Sequence, residues 1–135
     1  MAFVIDASVV GNWHFADERT PQAIRVLDAA AHDRILVPAH WWFEIRNVLL
    51  VGERRGRASQ RQTEEFLIRL ARLRISTAPV RDDADIFFLA RRHHLTFYDA
   101  AYLALAQREQ IALATLDQDL AMAARAEGVP LVIAT

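Results

Sequence analysis

The sequence predicts a single-domain three-layer α/β/α sandwich, one parallel β-sheet with helices on both faces. Three observations carry that expectation. Short runs such as Phe3–Ile5, Ile35–Val37 and Ile111–Thr115 are apolar at nearly every position, the composition of strands covered on both sides. Longer segments between them repeat apolar residues at helical spacing. The connections are short, and this alternation implies parallel strands joined by right-handed crossovers. With 135 residues, 53% of them hydrophobic, one domain spanning residues 1–135 has enough chain to bury about 68–70% of its extended surface.

The elements follow in order. Phe3-Val4-Ile5 leads straight into Asp6 and two small residues, Ala7 and Ser8. It reads as a buried strand ending at an acid, with Ser8 placed to start the next segment. Val9–Phe15 is apolar and aromatic, and Asp17-Glu18-Arg19 is a polar loop. Thr20-Pro21 is a helix start with Thr20 as cap; the helix runs to about His32, and Ile35–Val37 is the second strand. A helix from Ala39 to about Arg55 follows, closed by Gly56 and apolar nearly all round, so it should be buried or covered by a partner. Ser59 and Gln62 form a capping box that opens the next helix.

Ile75–Thr77 is a weak third strand. Asp82, Asp83 and Asp85 begin a helix reaching His93, their charges favoured by its positive end; His93 and His94 read as its solvated end. Thr96–Gln107 is a helix and Ile111–Thr115 the fourth strand. Asp117 and Asp119 precede a last helix that stops at Gly128, and Val129–Ile133 is a fifth, edge strand containing Pro130.

Composition narrows the function classes. There is no Cys, so neither a disulfide scaffold nor a thiolate zinc site is available. Asp6 interrupts the first apolar run too early for a secretory signal, and no run approaches the ~20 residues that span a bilayer. The expectation is a soluble, cytoplasmic protein without membrane contact. Net charge is −1, and all 16 basic residues are Arg. Arg suits phosphate recognition, while the missing Lys removes phosphate-binding loops and the usual aspartyl-phosphate sites.

Of 17 acids, most lie in polar runs and need no special account. Four do not. Asp6 and Asp117 end buried strands, and Glu44 and Asp99 interrupt apolar helices. Each has an ordinary alternative: Asp6 and Asp117 as helix caps, Asp99 in a capping box with Thr96, Glu44 as partner of a distant Arg. Together they point to a shared divalent cation, because unpaired buried carboxylates are costly and Mg²⁺ or Mn²⁺ takes hard oxygen ligands. If the first and fourth strands are neighbours where strand order reverses, Asp6 and Asp117 emerge together at the sheet's ligand-binding edge.

Phe3–Ser8, Pro38-Ala39 leading to Glu44-Ile45-Arg46-Asn47, Tyr98–Ala106 and Ala114–Leu120 occur in the order seen in PIN-domain ribonucleases. The chain resembles the VapC toxins among them over its whole length. That resemblance implies a five-stranded parallel sheet of order 3-2-1-4-5 and a metal-dependent endoribonuclease, the toxin of a type II toxin–antitoxin pair. It assigns Mg²⁺ or Mn²⁺ to Asp6, Glu44, Asp99 and Asp117, with Asp119 as an additional acid. Ser8, Asn47 and Thr115 match positions that orient those ligands. It also implies an RNA substrate, a VapB-like antitoxin whose tail lies near the Trp41–Trp42 helix, and a homodimer.

Two other readings use the same residues. A phosphatase or phospho-receiver would use Asp6 as nucleophile, yet Ala7-Ser8 supplies no second acid and the chain has no Lys. A silent module would bind RNA or protein without cutting, and its acids would tolerate loss.

Overall fold

A computed structural model describes residues 1–79 and 83–132. Strand β1 (Ala2–Ile5) is followed by α1 (Ala7–His14), a 3₁₀ turn (Ala16–Glu18), α2 (Pro21–Ala30), β2 (Arg34–Val37), α3 (Trp41–Arg54) and α4 (Gln60–Leu70). Then come β3 (Ile75–Thr77), α5 (Ala84–His93), α6 (Phe97–Glu109), β4 (Ala112–Ala114) and α7 (Gln118–Ala126).

The strands pair in parallel in the order β3-β2-β1-β4, with Val4 opposite Leu36 on one side and Leu113 on the other. Among the described residues the sheet therefore has four strands, one fewer than expected. Where the fifth was placed, Leu131 forms a single parallel bridge to Leu113, on the outer side of β4. Leu113 N–H donates to Pro130 O at 2.9 Å and Val132 N–H to Leu113 O at 3.0 Å. Pro130 has no N–H to extend this ladder. Its position agrees with the order 3-2-1-4-5; Ile133 lies outside the described residues, as does Asp82 in the expected start of α5.

Local chemistry sets the helix starts. Thr20 Oγ1 accepts from Ala23 N–H with Pro21 in the first turn of α2, and Ser59 and Gln62 complete the capping box of α4. Gly56 and Gly128 take positive φ, +71° and +74°, just past α3 and α7, where the left-handed conformation ends a helix. Val4, Ile5, Ile35, Leu103 and Leu113 are fully buried at the centre of the core.

One expectation narrows and another changes. Helix α3 buries Trp41, Ile45 and Leu49, but Trp42, Phe43 and Leu50 are 50%, 71% and 42% exposed, so its apolar surface is not enclosed by this chain. His93 is not a solvated end either: its Nε2 lies 2.6 Å from Glu127, which Arg92 and Gln107 also approach at 3.3 Å. That cluster ties the ends of α5 and α6 to α7.

Gly52 shows how closely α3 packs. A Cβ there would fall on the ring of Phe15, which is buried and lies under the Arg57 guanidinium at 4.2 Å. Overpacking costs about 1–3 kcal/mol, against about 1 kcal/mol gained when Ala replaces Gly in a helix. Gly52→Ala is therefore expected to be net destabilising, by about 1 kcal/mol, measured as a lower urea midpoint at unchanged slope.

Candidate active site

The strand order reverses at β1, which has β2 on one side and β4 on the other. A crevice outside the carboxyl ends of such strands is where open α/β sheets bind ligands. Asp6 leaves β1 there, and its backbone N–H donates to Ala114 O at 3.1 Å. Thr115 to Asp117 leave β4 beside it.

Asp6 is 4% exposed and well satisfied. Oδ1 accepts from Ser8 N–H at 3.1 Å, Ser8 Oγ at 2.6 Å and Val9 N–H at 3.4 Å. Oδ2 accepts from the Thr115 hydroxyl. Asp6 itself, rather than Ser8, is thus the N-cap of α1, while the Ser8 Oγ also accepts from Leu116 N–H at 3.0 Å. Ser8 and Thr115 thus both donate hydrogen bonds to this carboxylate. The cap and the site candidate are one residue.

The other acids arrive from separate elements. Asp117 caps α7, with Oδ1 accepting from Leu120 N–H at 3.0 Å. Asp99 lies in the first turn of α6, its N–H on Thr96 Oγ1 at 3.1 Å. Glu44 lies in the first turn of α3 and receives the Tyr102 hydroxyl at 2.8 Å. Asp6, Glu44, Asp99 and Asp117 all line one cavity of about 580 Å³, together with Ser8, Gly11, Asn12, Glu18 and Val48. Among the described residues no Arg or His lines it.

Electrostatics records the crowding. Burial pushes the Asp6 carboxyl up to about 6 against its hydrogen bonds from Ser8, Thr115 and Val9, with the Asp99 charge adding to the rise. Asp99 is raised chiefly by burial and next by the charges of Asp117 and Glu44. Oxygen donors of like charge around a cavity without a basic wall fit a hard divalent cation. Among the described residues, however, no three His, Cys, Asp or Glu side chains are already gathered closely enough to hold an ion. The acids share a cavity, and Asp6, Glu44, Asp99 and Asp117 are the side chains that would hold a hard cation there.

Two expected site residues stand apart. Asp119 is exposed in the first turn of α7 and absent from the cavity lining. Asn47 lines an adjoining hollow with His40, Phe43, Glu44 and Tyr98. Three further residues were missed in the sequence. Tyr102 is fully buried, its hydroxyl spent on Glu44, and burial followed by that bond raises its pKa. A tyrosine inside so apolar a helix was the available signal, because a buried phenol seeks a partner. His40 packs its ring on Tyr98 and Tyr102, and burial lowers its pKa against the pull of Glu44 and Asp99. Asn12 donates to Glu18 O and accepts from Thr20 N–H at 2.9 Å, pinning the turn that forms one cavity wall.

Comparison with known proteins agrees with this architecture. The PIN domain family model matches residues 3–126. Ribonuclease VapC3 of Pyrobaculum aerophilum is 36% identical over 126 residues, which cover 90% of this chain and 93% of that protein. The crystal structure of PAE2754 from Pyrobaculum aerophilum superposes with a TM-score of 0.71 at 20% identity, over 91% of this chain and 84% of that one. Mycobacterium tuberculosis VapC20, described as a sarcin-ricin loop cleaving toxin, gives a TM-score of 0.62 at 21% identity, over 90% and 94%. Those two likenesses concern the fold; the family match and the VapC3 identity concern descent. The chain belongs to the PIN-domain family, among the VapC ribonucleases.

Proposed function

We propose that this protein is the endoribonuclease toxin of a toxin–antitoxin pair, hydrolysing RNA phosphodiester bonds with Mg²⁺ or Mn²⁺ held by Asp6, Glu44, Asp99 and Asp117. The observation that carries the reading is the convergence of four carboxylates, from four separate parts of the chain, on one cavity at the sheet's switch point. Membership of the VapC ribonucleases supplies the activity class.

When bound, the cation would supply charge stabilisation at phosphorus and acidify the attacking water. The chain supplies the rest. Asp6 is held rigidly by its cap donors and by Thr115, and Glu44 by Tyr102, so both carboxylates keep their places as substrate enters. Asp99 is only part-buried, and its carboxylate oxygens are the group we assign to taking the water proton; burial and neighbouring charge raise its proton affinity for that task. Asp119 would act from outside the cavity, as an acid near its rim.

The partners follow from the same reading: RNA, a VapB-like antitoxin and a second copy of the chain. The exposed Trp42, Phe43 and Leu50 on α3 support a protein partner. We place the protein in the cytoplasm, with its RNA; among the described residues no helix is long and apolar enough to cross a membrane.

The test is cleavage of single-stranded RNA with Mn²⁺ or Mg²⁺. EDTA is expected to abolish it and added cation to restore it, and Asp99→Asn to slow it by about 10²–10⁴-fold. Cleavage that persists in EDTA, or full activity of Asp99→Asn, sinks the metal-nuclease reading. RNA binding without cleavage under every condition would favour the silent module.

A further inference from the structure

We propose that the hollow between Arg55 and Arg57, at the end of α3, is a subsite for a phosphodiester flanking the one that is cut. The inference rests on the reading of RNA as substrate and deepens it.

The need for such a site is electrostatic. Among the described residues no basic side chain lines the cavity holding the four acids, so those residues offer a polyanion no cation of their own there. Affinity for RNA must come from cations beside the cavity, since phosphate neutralisation dominates nucleic-acid binding. The chain carries 16 arginines, and position selects among them.

A hollow of about 250 Å³ is lined by Arg55 and Arg57 along with Phe15, Glu18, Asn47 and Val48. Glu18 and Val48 also line the acid cavity, so the two spaces share a wall. Asn47 further joins this hollow to the one beside Glu44. A strand whose scissile phosphate lies among the acids can therefore continue along α3 without leaving the protein surface.

The two arginines differ in a useful way. Arg57 is fixed: its Nη2 lies 3.1 Å from Asp17 and 3.1 Å from Glu18, and its guanidinium stacks over Phe15 at 4.2 Å. Arg55 is exposed, and among the described residues its guanidinium makes no hydrogen bond, ion pair or ring contact. One cation is oriented by its acids and the other is uncommitted. The Arg57 charge is already matched by Asp17 and Glu18, so a phosphate oxygen in the hollow would take its donors from Arg55.

Spacing separates this subsite from the chemistry. Eleven residues divide Glu44 from Arg55, about 16 Å at 1.5 Å per residue, although helical side chains lean back toward the N-terminus and shorten the gap. The hollow thus takes a neighbouring phosphate and leaves the scissile one to the acids.

The experiment measures binding in EDTA, where no cutting is expected, with single-stranded RNA bearing one neutral methylphosphonate at each position in turn. Wild type should lose affinity at a small set of positions. Arg55→Ala should bind more weakly, reduce the slope of log K against log salt by about 0.7, and lose the methylphosphonate penalty at one flanking position while keeping the others. That non-additivity assigns the contact. An unchanged penalty profile, or an unchanged salt slope, overturns the proposal. So does an Arg55→Ala protein that binds RNA normally but fails to bind an antitoxin, which would make the hollow a protein contact. Arg55 is exposed and, among the described residues, unpaired, so its loss should leave the melting temperature unchanged; Arg57→Lys, which keeps charge but not the fork, gives the second variant. If wild type cuts no RNA with Mn²⁺, the nuclease reading falls, and coupling measured in EDTA still decides the subsite.

Discussion

Asp6→Asn is expected to abolish RNA cleavage and, at the same time, to make the cation-free protein more stable. The Asp6 carboxyl stands at about 6 in the fold against 3.8 for the unreacted group, mainly because it is buried. The folded state therefore holds its proton more tightly than the unfolded chain. Seen from the protonated form, its contribution is fully present below about pH 4 and is lost as pH rises through 6. Ionised at pH 8, it costs the fold on the order of 2–3 kcal/mol. Asn keeps the acceptor that caps α1 and removes the charge. The variant should melt roughly 10 °C higher at pH 8 without metal, and the gap should close as pH falls from 6 to 4. Saturating Mn²⁺ should raise the melting temperature of wild type and leave Asp6→Asn where it was. A variant less stable than wild type at pH 8, both free of metal, would refute the buried-charge account.

Tyr102→Phe should produce the second large effect. Its hydroxyl donates to Glu44 at 2.8 Å from a fully buried ring. Removing the oxygen leaves the ring's packing in place and deprives Glu44 of the donor that orients it. Groups that position metal ligands are typically worth about 10–100-fold in metal affinity or activity. The expected outcome is a drop of that size in Mn²⁺ affinity by calorimetry, with a matching shift in the cation concentration needed for cleavage. Restored activity at high Mn²⁺ would mark a positioning role; loss at every concentration would mark a broken fold.

The strand-and-helix sequence was largely legible, because buried parallel strands and capped helices leave strong local signals. Thr20-Pro21, Ser59 with Gln62, Gly56 and Gly128 all mark helix ends where they were expected. The four candidate carboxylates, which line one cavity, stood out for a different reason: each is an acid in an apolar setting. What failed depended on tertiary facts. His93 looked solvated because its partner Glu127 is distant in sequence. For α3, expected to be buried or covered by a partner, composition does not tell whether the cover is this chain or another. Among the described residues Leu131 pairs at one point, next to Pro130, which has no N–H to give. Tyr102 and Asn12 disappeared into apolar runs, where only their buried polar atoms betray a task.

If Asp6 holds the proposed cation as well as capping α1, there is a consequence for which residues this position accepts. A helix cap tolerates Asn, Ser or Thr, whose short side chains reach the first free amides. A cation demands charge, which those residues lack. Glu has the charge, but its extra methylene would move the oxygens away from Ser8 and Val9 and into the acid cavity. On that proposal two independent filters would act on one side chain, and their overlap would be a single amino acid. Drift at this site requires α1 to acquire another cap first, so the start of that helix and the chemistry of the cavity are inherited together.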